Sequence, residues 1–458
     1  MKEKVIAVFD IGKTNKKLLL FNEQLKVVLQ QEEKINTVRD EDGDECDDIL
    51  RIENWIKSTI SDLVSGDAYD MAAVNFSTYG ASLTFLDDAG NRLTPVYNYL
   101  KEVPGQIREK LFSRYGGKED FCRKTASPDL GMLLNSGIQI LWLRERHPEV
   151  YNKTASILHF PQYLSFLFTG QVASESTSIG CHTFMWDFDQ NRYHDWIGNE
   201  GIQLPDPVPN KNTVPVSIEG RGVHAGIGIH DSSASLVPYI RGSREHFMLI
   251  STGTWCINMN PFNHSPLTRE QLEKDCLAYM SIDQTPVKSS RLFMGHIHDE
   301  NVRRIAAFFN VPEDRYKQVK INEQLLAGYL TAGRELVFFR EGMQVNYVDE
   351  QIDLSAFSSF EEAYHRLMYD LTILNSRSME LISDAQDGVR SIYVSGGFAR
   401  NEIFVRLMAS FYPERSVYTS EVDNATALGA ALVVWDAMDE GRLPEIDLGL
   451  VKWEPVKG

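Results

Sequence analysis

The chain has 458 residues, of which 43% are hydrophobic, and a formal net charge of -18 at pH 7. This length exceeds what one hydrophobic core usually serves, so we expect two or more globular domains. The negative charge argues against a general binder of nucleic acid or of anionic membranes, because either polyanion would be repelled at long range. Any nucleotide that binds must therefore meet a local positive patch.

The sequence gives no sign of a secreted or membrane-embedded protein. The apolar run at residues 5–9 is too short for a signal peptide, and the run at 427–435 is far below the length that spans a bilayer. The five cysteines include no CxxC pair, which argues against a disulfide framework or a zinc finger. We expect a soluble protein of the cytoplasm.

The first predicted element is a strand-turn-strand over residues 5–21. Its two apolar runs flank a glycine-containing turn, as in a β-hairpin. An ordinary hairpin does not need a carboxylate, a hydroxyl, an amide and three ammonium groups at its tip, so we interpret it as a phosphate-binding turn, with a solvated turn as the alternative. The residues of this turn are Asp10, Gly12, Lys13, Thr14, Asn15, Lys16 and Lys17.

Alternating helices and strands follow this hairpin. Residues 49–64 have helical periodicity, and residues 72–76 have the composition of a strand. Ser136 is placed to cap a helix that ends before Pro148. An irregular stretch rich in Pro and Asn, at 204–215, suggests that a domain junction lies nearby. The pattern predicts an α/β fold.

The second half of the chain repeats the opening theme. One apolar strand runs into a turn at Gly253, and a later strand ends in Gly396 and Gly397 before a helix that begins at about Asn401. Glycines after a strand let backbone N–H groups approach a phosphate closely. Together with the turn at Gly12, these positions predict phosphate contacts that converge from two domains.

Several side chains in these turns suit phosphoryl transfer. The hydroxyls of Thr14 and Thr254 can donate to phosphoryl oxygens, the lysines of the first turn can neutralise charge, and Asp10 can orient Mg²⁺ directly or through water. The best candidate for the base that deprotonates an acceptor hydroxyl is Asp231. The local pattern around Asp231 by itself favours an alternative, a cap for a helix at 232–239.

The most informative pattern is the order of four short segments along the chain. They are Asp10-Ile-Gly-Lys-Thr14, His230-Asp-Ser-Ser-Ala-Ser235, Ser251-Thr-Gly-Thr-Trp255 and Val394-Ser-Gly-Gly-Phe398. This is the order found in FGGY carbohydrate kinases, and the chain resembles that family. The forms around Asp231 and Thr254 are most similar to L-rhamnulokinases and L-fuculokinases. Residues 77–90 resemble the strand and hairpin of the family's sugar pocket.

The resemblance implies two ribonuclease-H-like (actin-like ATPase) domains with a catalytic cleft between them. Residues 1–242 would form the N-terminal domain with the sugar site, and residues 243–458 the C-terminal, ATP-binding domain. The implied reaction transfers the γ-phosphoryl group of ATP, with Mg²⁺, to the C1 hydroxyl of a ketose. A 6-deoxy-ketohexose is expected, L-fuculose before L-rhamnulose, with the xylulose and ribulose kinases of the family as alternatives.

The resemblance also carries over roles for single residues. Asp231 would be the catalytic base, and Asp10 would organise Mg²⁺. Residues 12–17 would hold the β- and γ-phosphates. A helix cap is the favoured alternative for Asn401. The remaining implied contacts are Gly253 and Thr254 with phosphate, Gly396 and Gly397 with the α-phosphate and nucleoside, Arg400 and Asn401 with adenine or ribose, and Gly80, His230 and Ser232, with Asp231, around the sugar.

The chain departs from the family pattern at three places. Lys13, Asn15 and Lys16 stand where many members have small hydroxyl residues, which leaves open which cation meets which phosphate. Gln139 stands in place of a family lysine. The second family signature, at 335–346, is barely recognisable.

Other functions also fit parts of the sequence. A sugar or nucleotide sensor without catalysis is compatible with the altered first turn. The segment 220–225 fits a loose dinucleotide fingerprint of an NAD-dependent oxidoreductase, but no helix is predicted after it. His296 and His298 could belong to a metal cluster, although acidic residues opening a helix explain that segment better. A homodimer is left open.

Overall fold

The computed structural model describes residues 2–439 and 441–457, which form two mixed β-sheets with helices packed around them. The strands are β1 (Glu3–Ile11), β2 (Lys16–Asn22), β3 (Val27–Glu33), β4 (Thr37–Arg39), β5 (Glu45–Asp47), β6 (Tyr69–Thr78), β7 (Leu83–Leu86), β8 (Ser156–His159), β9 (Ser174–Glu175), β10 (Trp186–Asp187), β11 (Arg192–Tyr193), β12 (Pro207–Val208), β13 (Thr213–Ile218), β14 (Arg221–Gly226), β15 (Ile229–His230), β16 (Phe247–Thr252), β17 (Cys256–Asn260), β18 (Cys276–Met280), β19 (Pro286–Leu292), β20 (Ser391–Gly396), β21 (Ser416–Thr419) and β22 (Val451–Trp453).

The helices lie between and around these strands. They are α1 (Ile49–Ser65), α2 (Gly105–Arg114), α3 (Lys118–Lys124), α4 (Gly137–Arg146), α5 (Pro148–Tyr151), α6 (Phe160–Thr169), α7 (Ser176–Ile179), α8 (Asp195–Asn199), α9 (Asp231–Gly242), α10 (Arg269–Glu273), α11 (Met294–Phe309), α12 (Glu323–Ala332), α13 (Phe360–Glu380), α14 (Glu402–Phe411) and α15 (Ala425–Val433), with short 3₁₀ turns at Glu313–Gln318, Leu354–Ala356, Gly397–Arg400 and Trp435–Ala437.

The first sheet has the strand order β13-β14-β6-β1-β2-β3, and β15 also pairs with β6. Strand β1 pairs antiparallel with β2 and parallel with β6, so the predicted hairpin at 5–21 is confirmed. The register aligns Ile11 with Thr78, and Thr78 with His230. Because parallel strands end at the same edge of a sheet, the ends of β1, β6 and β15 meet there.

The second sheet repeats the central part of the first. Its order is β18-β19-β17-β16-β20-β21-β22, with β16 antiparallel to β17 and parallel to β20. Strands β16 and β20 therefore correspond to β1 and β6. Thr252 is in register with Gly396, which brings the two predicted phosphate turns of the second half side by side.

Helices α9 and α15 pack together between the two sheets. A Cβ atom on Gly429 would lie only 1.8 Å from the carbonyl oxygen of Ala234, so the glycine permits the close crossing. The amide of Asn75, on β6, donates to the carbonyl oxygen of Ala430 at 2.8 Å. One continuous hydrophobic cluster includes residues of both sheets and both helices. The two halves thus share a core as well as a cleft.

Most predicted elements are present with small shifts. Helix α1 covers 49–65 and β6 covers 69–78. Ser136 does precede α4, but it makes no side-chain cap, and its Oγ lies 3.3 Å from Nε2 of His159 instead. The last helix, α15, covers 425–433 and includes most of the apolar run at 427–435. No helix in the described part of the chain is long and apolar enough to cross a membrane.

Candidate active site

The common edge of β1, β6 and β15 brings Asp10, Gly80 and Asp231 together. Asp231 is the first residue of α9, and its Oδ1 lies 3.3 Å from Nε2 of His230. A Cβ atom on Gly80 would lie 2.6 Å from the same Nε2, so a side chain there would displace the His230 ring. The predicted sugar-binding residues are therefore neighbours.

Asp10 and Asp231 are close enough to influence each other's ionisation. Burial raises the pKa of Asp10 to about 6, the negative charge of Asp231 adds to the rise, and Lys17 opposes it. Burial also raises the pKa of Asp231 to about 6, against hydrogen bonds from Ser232. Two neighbouring carboxyl groups with raised pKa values in a cleft are typical of a functional site. A cation bound near them would stabilise their ionised forms.

Asp231 is not the cap of its helix. The N-cap position of α9 is occupied by His230, and no side-chain cap is formed. The hydroxyl of Ser232 donates to Oδ1 of Asp231 at 3.2 Å. Among the residues that the structure describes, Oδ2 of Asp231 has no hydrogen-bond partner, which leaves this oxygen available to a ligand.

His230 is neutral in this setting. Burial lowers its pKa to about 4. Nε2 of His230 lies 3.3 Å from Oδ1 of Asp231, and the uncharged ring does not lower the pKa of that carboxyl group. Ser232, in contrast, is exposed to the cleft.

The first turn presents its small polar residues to solvent. The N–H of Gly12 donates to the carbonyl oxygen of Asn15 at 2.9 Å and closes the turn. Thr14 and Asn15 are exposed, whereas Lys17 is half-buried opposite Asp10 in the β1–β2 register. Backbone and hydroxyl groups of this turn can therefore approach a phosphate.

The other two lysines of the turn are engaged with Asp47. Nζ of Lys16 is 2.9 Å from Oδ1 of Asp47 and 2.9 Å from the carbonyl oxygen of Lys13, and the residue is only 1% exposed. Nζ of Lys13 is 2.9 Å from Oδ2, which also accepts from the Tyr79 hydroxyl at 2.7 Å. The structure does not bring Lys16 to the surface of the turn, because a buried ammonium needs its carboxylate partner.

Burial would raise the pKa of Asp47, but the charge of Lys13 and hydrogen bonds from Tyr79, Lys13 and Lys16 outweigh it, and the pKa is lowered. Sequence reasoning missed Asp47. Its only signal was its place in the acidic loop at residues 39–48, where its carboxylate resembled the other solvated charges. This carboxylate connects the first turn to Tyr79, next to Gly80.

The acidic loop also contains a group of three carboxylates, Asp40, Asp42 and Asp44, that are close enough together to hold a cation. The ammonium of Lys101 already lies among them, at 2.6, 2.7 and 3.2 Å. A lysine of the chain itself thus supplies the positive charge.

Gln139, which replaces the family lysine, has a structural position. Its side chain is buried, donates to the carbonyl oxygens of Ala81 and Leu133, and accepts from the N–H of Leu83 at 3.2 Å. It therefore holds the backbone that follows Gly80, where Ala81 has a left-handed φ of +61°.

The second half contributes a cavity of about 940 Å³ beside the turns at Gly253 and Gly397. A Cβ atom on Gly396 would lie 1.9 Å from the carbonyl oxygen of Thr252, and φ is +83°, so only glycine fits. Aromatic and polar side chains complete the wall. They include Thr254, Tyr316, Tyr364, Phe398, Arg400 and Asn401.

Asn401 is a helix cap, as the alternative interpretation holds. Its Oδ1 accepts from the N–H of Phe404 at 3.2 Å, and its Nδ2 donates to the Tyr364 hydroxyl at 2.9 Å. His298 pairs with Asp299 at 2.8 Å inside α11, and within the described residues neither belongs to a group arranged to bind a metal. His296 and His298 both lie in α11, which begins at Met294.

The segment 220–225 is not a dinucleotide fingerprint. It forms the turn and second strand of the antiparallel pair β13–β14. The glycine-containing segment leads into strand β14 and not into a helix, so the geometry that presents a helix N-terminus to a pyrophosphate is missing at this place. The structure removes the basis for the oxidoreductase alternative.

Solved structures confirm the predicted two-domain actin-like fold. A carbohydrate kinase from Novosphingobium aromaticivorans superimposes with a TM-score of 0.79 at 24% identity, over 100% of this chain and 95% of the other. A xylulose kinase from Lactobacillus acidophilus gives a TM-score of 0.75 at 17% identity, over 99% and 94%. At these identities the likeness concerns the fold.

Sequence comparison identifies the family. Residues 5–206 match the N-terminal domain, and residues 244–332 the C-terminal domain, of the FGGY family of carbohydrate kinases. The two matches together span more than half of the chain, which belongs to this family of sugar kinases.

Curated relatives lie within the same family. A protein named rhamnulokinase from Oceanobacillus iheyensis is 28% identical over 233 residues, which is 48% of this chain and 48% of that protein. Another rhamnulokinase, from Halalkalibacterium halodurans, is 20% identical over 460 residues, which is 94% and 93% of the two chains. The chain thus spans about half the length of one of these relatives and nearly all of the other.

Proposed function

We propose that the protein transfers the γ-phosphoryl group of ATP to the C1 hydroxyl of a ketose, with Asp231 as the base. The observation that carries this proposal is the position of Asp231. Asp231 neighbours His230 and Gly80 of the predicted sugar wall, and its charge acts on Asp10 at the start of the phosphate turn. A base must be within hydrogen-bond reach of the acceptor and beside the phosphate, and this position meets both needs.

The neighbours of Asp231 suit the base role. The Ser232 hydroxyl donates to Oδ1, which also lies 3.3 Å from Nε2 of His230, so Oδ2 can accept the proton of the sugar hydroxyl. The raised pKa makes the carboxylate a stronger base than a solvated aspartate, while it stays ionised at neutral pH. Domain closure would exclude water, so that the sugar and not water receives the phosphoryl group.

The second-half cavity fits a nucleotide. Its volume of about 940 Å³ lies within the range of ordinary ligand sites, and the open space at Gly397 leaves the backbone there accessible to a phosphate. From the first half, Thr14, Asn15 and Lys17 face the same cleft in our assignment. Arg400 would border the nucleoside, and Asn401 would contribute to the wall through its capped helix.

The residues at Asp10 also fit Mg²⁺. Two neighbouring carboxyl groups with raised pKa values, with Lys17 opposing the rise at Asp10, leave negative charge that a divalent cation would compensate. Bound there, Mg²⁺ would neutralise charge on the phosphates. The role of the chain is to hold Asp10 in register at the end of β1.

The sugar is best identified by measuring ADP release with a panel of ketoses. Because these relatives are named rhamnulokinase, we test L-rhamnulose first and L-fuculose second, the reverse of the order expected from the sequence motifs. Xylulose and ribulose complete the panel. We expect ADP release to depend on one ketose and to be low without sugar. Binding of a ketose without stimulated ADP release by any of them would favour the sensor function instead.

The rate should depend on the ionisation of Asp231. Its carboxylate faces His230, Asp10, Tyr99 and Cys181, and of these four groups only Asp10 has a pKa near that of Asp231 itself, at about 6. Because the base must be deprotonated, kcat/KM for the sugar at saturating MgATP should rise with pH through about 6 and level off above 7. A profile that is flat between pH 5 and 8 would contradict this assignment.

The domain boundary between residues 242 and 243 stays a proposal. It is supported by the division of strands, since β15 ends the first sheet and β16 begins the second. The cytoplasmic location, the homodimer and the lack of nucleic-acid or membrane partners likewise remain predictions from the sequence.

A further inference from the structure

The turn that carries His182 is held in an unusual backbone conformation. His182 and Phe184 have φ values of +40° and +66°, in the left-handed region that residues with side chains rarely adopt. Nδ2 of Asn135 donates to the carbonyl oxygen of His182 at 3.0 Å, and the N–H of Gly137 donates to that of Thr183 at 2.8 Å. A strained backbone that several neighbouring contacts hold in place is common at ligand sites, where it fixes the direction of a side chain.

This turn lies where the two halves of the molecule meet. A Cβ atom on Gly180 would be 2.6 Å from Cβ of Met280, on β18. The ring of His182 lies edge-on to that of His230, with centroids 6.5 Å apart. The ring of His182 is therefore a neighbour of the ring of His230, beside the place where the two halves meet.

The hydrogen bonds of His182 fix which ring nitrogen can accept. Nδ1 is 3.0 Å from the carbonyl oxygen of Leu134, and since a carbonyl only accepts, Nδ1 carries the hydrogen. Burial, followed by the charges of His230 and Arg291, lowers the pKa of His182 to about 4, so the ring is neutral at pH 7. Nε2 then carries a lone pair.

Nothing in the described part of the chain uses that lone pair. His182 is half-buried, and Nε2 is not among the fully buried polar atoms that lack a partner, so this nitrogen is accessible to solvent. Arg291 approaches from β19, in the second half, with its guanidinium 5.5 Å from the ring of Trp255 and bonded to Asp275. The charge of Arg291 is close enough to lower the pKa of His182, so an acceptor from one half and a cation from the other are near each other.

We propose that His182 is a specificity-determining residue that accepts a hydrogen bond from one hydroxyl of the sugar through Nε2, with Arg291 donating to the oxygen of that hydroxyl. The inference rests on the proposed kinase function and names a contact of the same site. A sugar with that hydroxyl missing or inverted would leave both groups without a partner in the closed cleft. Sites built in this way discriminate strongly against such analogues.

His182→Asn tests the proposal with little change to the fold. The Asn amide can still donate to the carbonyl oxygen of Leu134, but it has no atom at the position of Nε2. We expect KM for the preferred ketose to rise about 10-fold, because one hydrogen bond is lost and the sugar hydroxyl is left without a partner. KM for ATP and kcat should change little. The preference of the wild-type enzyme over one deoxy or epimeric analogue should fall by the same factor.

His224→Asn is the matched control, because His224 is exposed on β14. It should leave both KM values and the sugar preference unchanged. A folded His182→Asn variant with wild-type KM and wild-type preference would overturn the proposal. If that variant does not fold, Arg291→Lys, which keeps the charge but not the planar donors, must weaken ketose binding without affecting ATP, and unchanged binding overturns the proposal equally.

The same assay distinguishes a failure of this proposal from a failure of the proposed kinase function. If the wild-type protein releases no ADP with any ketose, the kinase function fails and takes this inference with it. If the wild-type protein is an active kinase and only the His182→Asn prediction fails, then the kinase function stands and the role of His182 is wrong.

Discussion

Asp231→Asn is expected to lower sugar-stimulated ADP release by about 10³-fold, the usual contribution of a general base. The substitution preserves the size of the side chain and its contacts with His230 and Ser232, but an amide cannot take a proton from the sugar hydroxyl. Nucleotide affinity, measured by calorimetry with ATP or a non-hydrolysable analogue, should be retained. Near-normal turnover in this variant would rule out Asp231 as the base.

The same variant is expected to be more stable than the wild-type protein at pH 8. The pKa of Asp231 is raised in the folded state to about 6, so folding favours the protonated form, and stability is lost as pH rises from about 4 to 6. Asn stays neutral and avoids this loss. The difference in the thermal midpoint between the variant and the wild-type protein should therefore shrink toward pH 4.

Asp283→Asn is a control for the change in charge. Asp283 is largely exposed, 3.8 Å from Arg241. We expect this variant to keep wild-type turnover and a wild-type thermal midpoint at both pH values. Equal stabilisation by Asp283→Asn and Asp231→Asn would mean that net charge, and not the site, explains the effect.

Asp47→Asn is expected to destabilise the protein by about 3–5 kcal/mol, the range for removing one partner of a buried ion pair. Asp47 and Lys16 have side-chain exposures of only 2% each. Without the carboxylate, the ammonium of Lys16 keeps only the carbonyl oxygen of Lys13, and Lys13 loses its partner as well. Denaturant unfolding would measure the change in the free energy of unfolding.

The contribution of Asp47 should also vary with pH in a defined direction. Its pKa is lowered in the folded state, so its stabilising effect is present above the pKa of an unfolded aspartate, about 3.9, and is lost as pH falls below that value. The difference in stability between the wild-type protein and Asp47→Asn should therefore be largest near neutral pH and decrease below pH 4.

Lys16→Met and Lys17→Met provide a matched pair of lysine variants in one turn. Lys16→Met removes one partner of the buried Asp47 carboxylate. It should lower the free energy of unfolding by an amount similar to that expected for Asp47→Asn. Lys17 is only half-buried and has no ion pair within 4 Å among the described residues. Lys17→Met should cost less than about 1 kcal/mol in stability, and it should weaken ATP binding instead. The opposite ranking in stability would contradict the roles given to the two lysines.

The repeated hairpin and glycine turns were readable from the sequence because they depend on local rules. An apolar run of strand length, a turn with glycine and a second apolar run predict a hairpin wherever they occur. This logic located the turns at Gly12, Gly253 and Gly396. The order of the motifs, rather than any one of them, gave the family.

Side-chain direction at the turn residues was not readable in this way. Nothing local distinguishes Lys16, which is buried against Asp47, from Lys17, which remains at the cleft, because the partner lies 31 residues away on β5. His182 likewise carried no signal, since its position depends on Asn135 and on contacts between the two halves.

By itself, the sequence determined the α/β class, the two repeated halves, the phosphate turns and the candidate base. These depend on periodicity and on residue types that are neighbours along the chain. Only the tertiary structure decided which groups share the cleft, because strand register and the packing of α9 on α15 bring distant segments together. The neutral His182, the Lys16–Asp47 pair and the coupled pKa values of Asp10 and Asp231 all arise from that assembly, where burial and long-range contacts control charge.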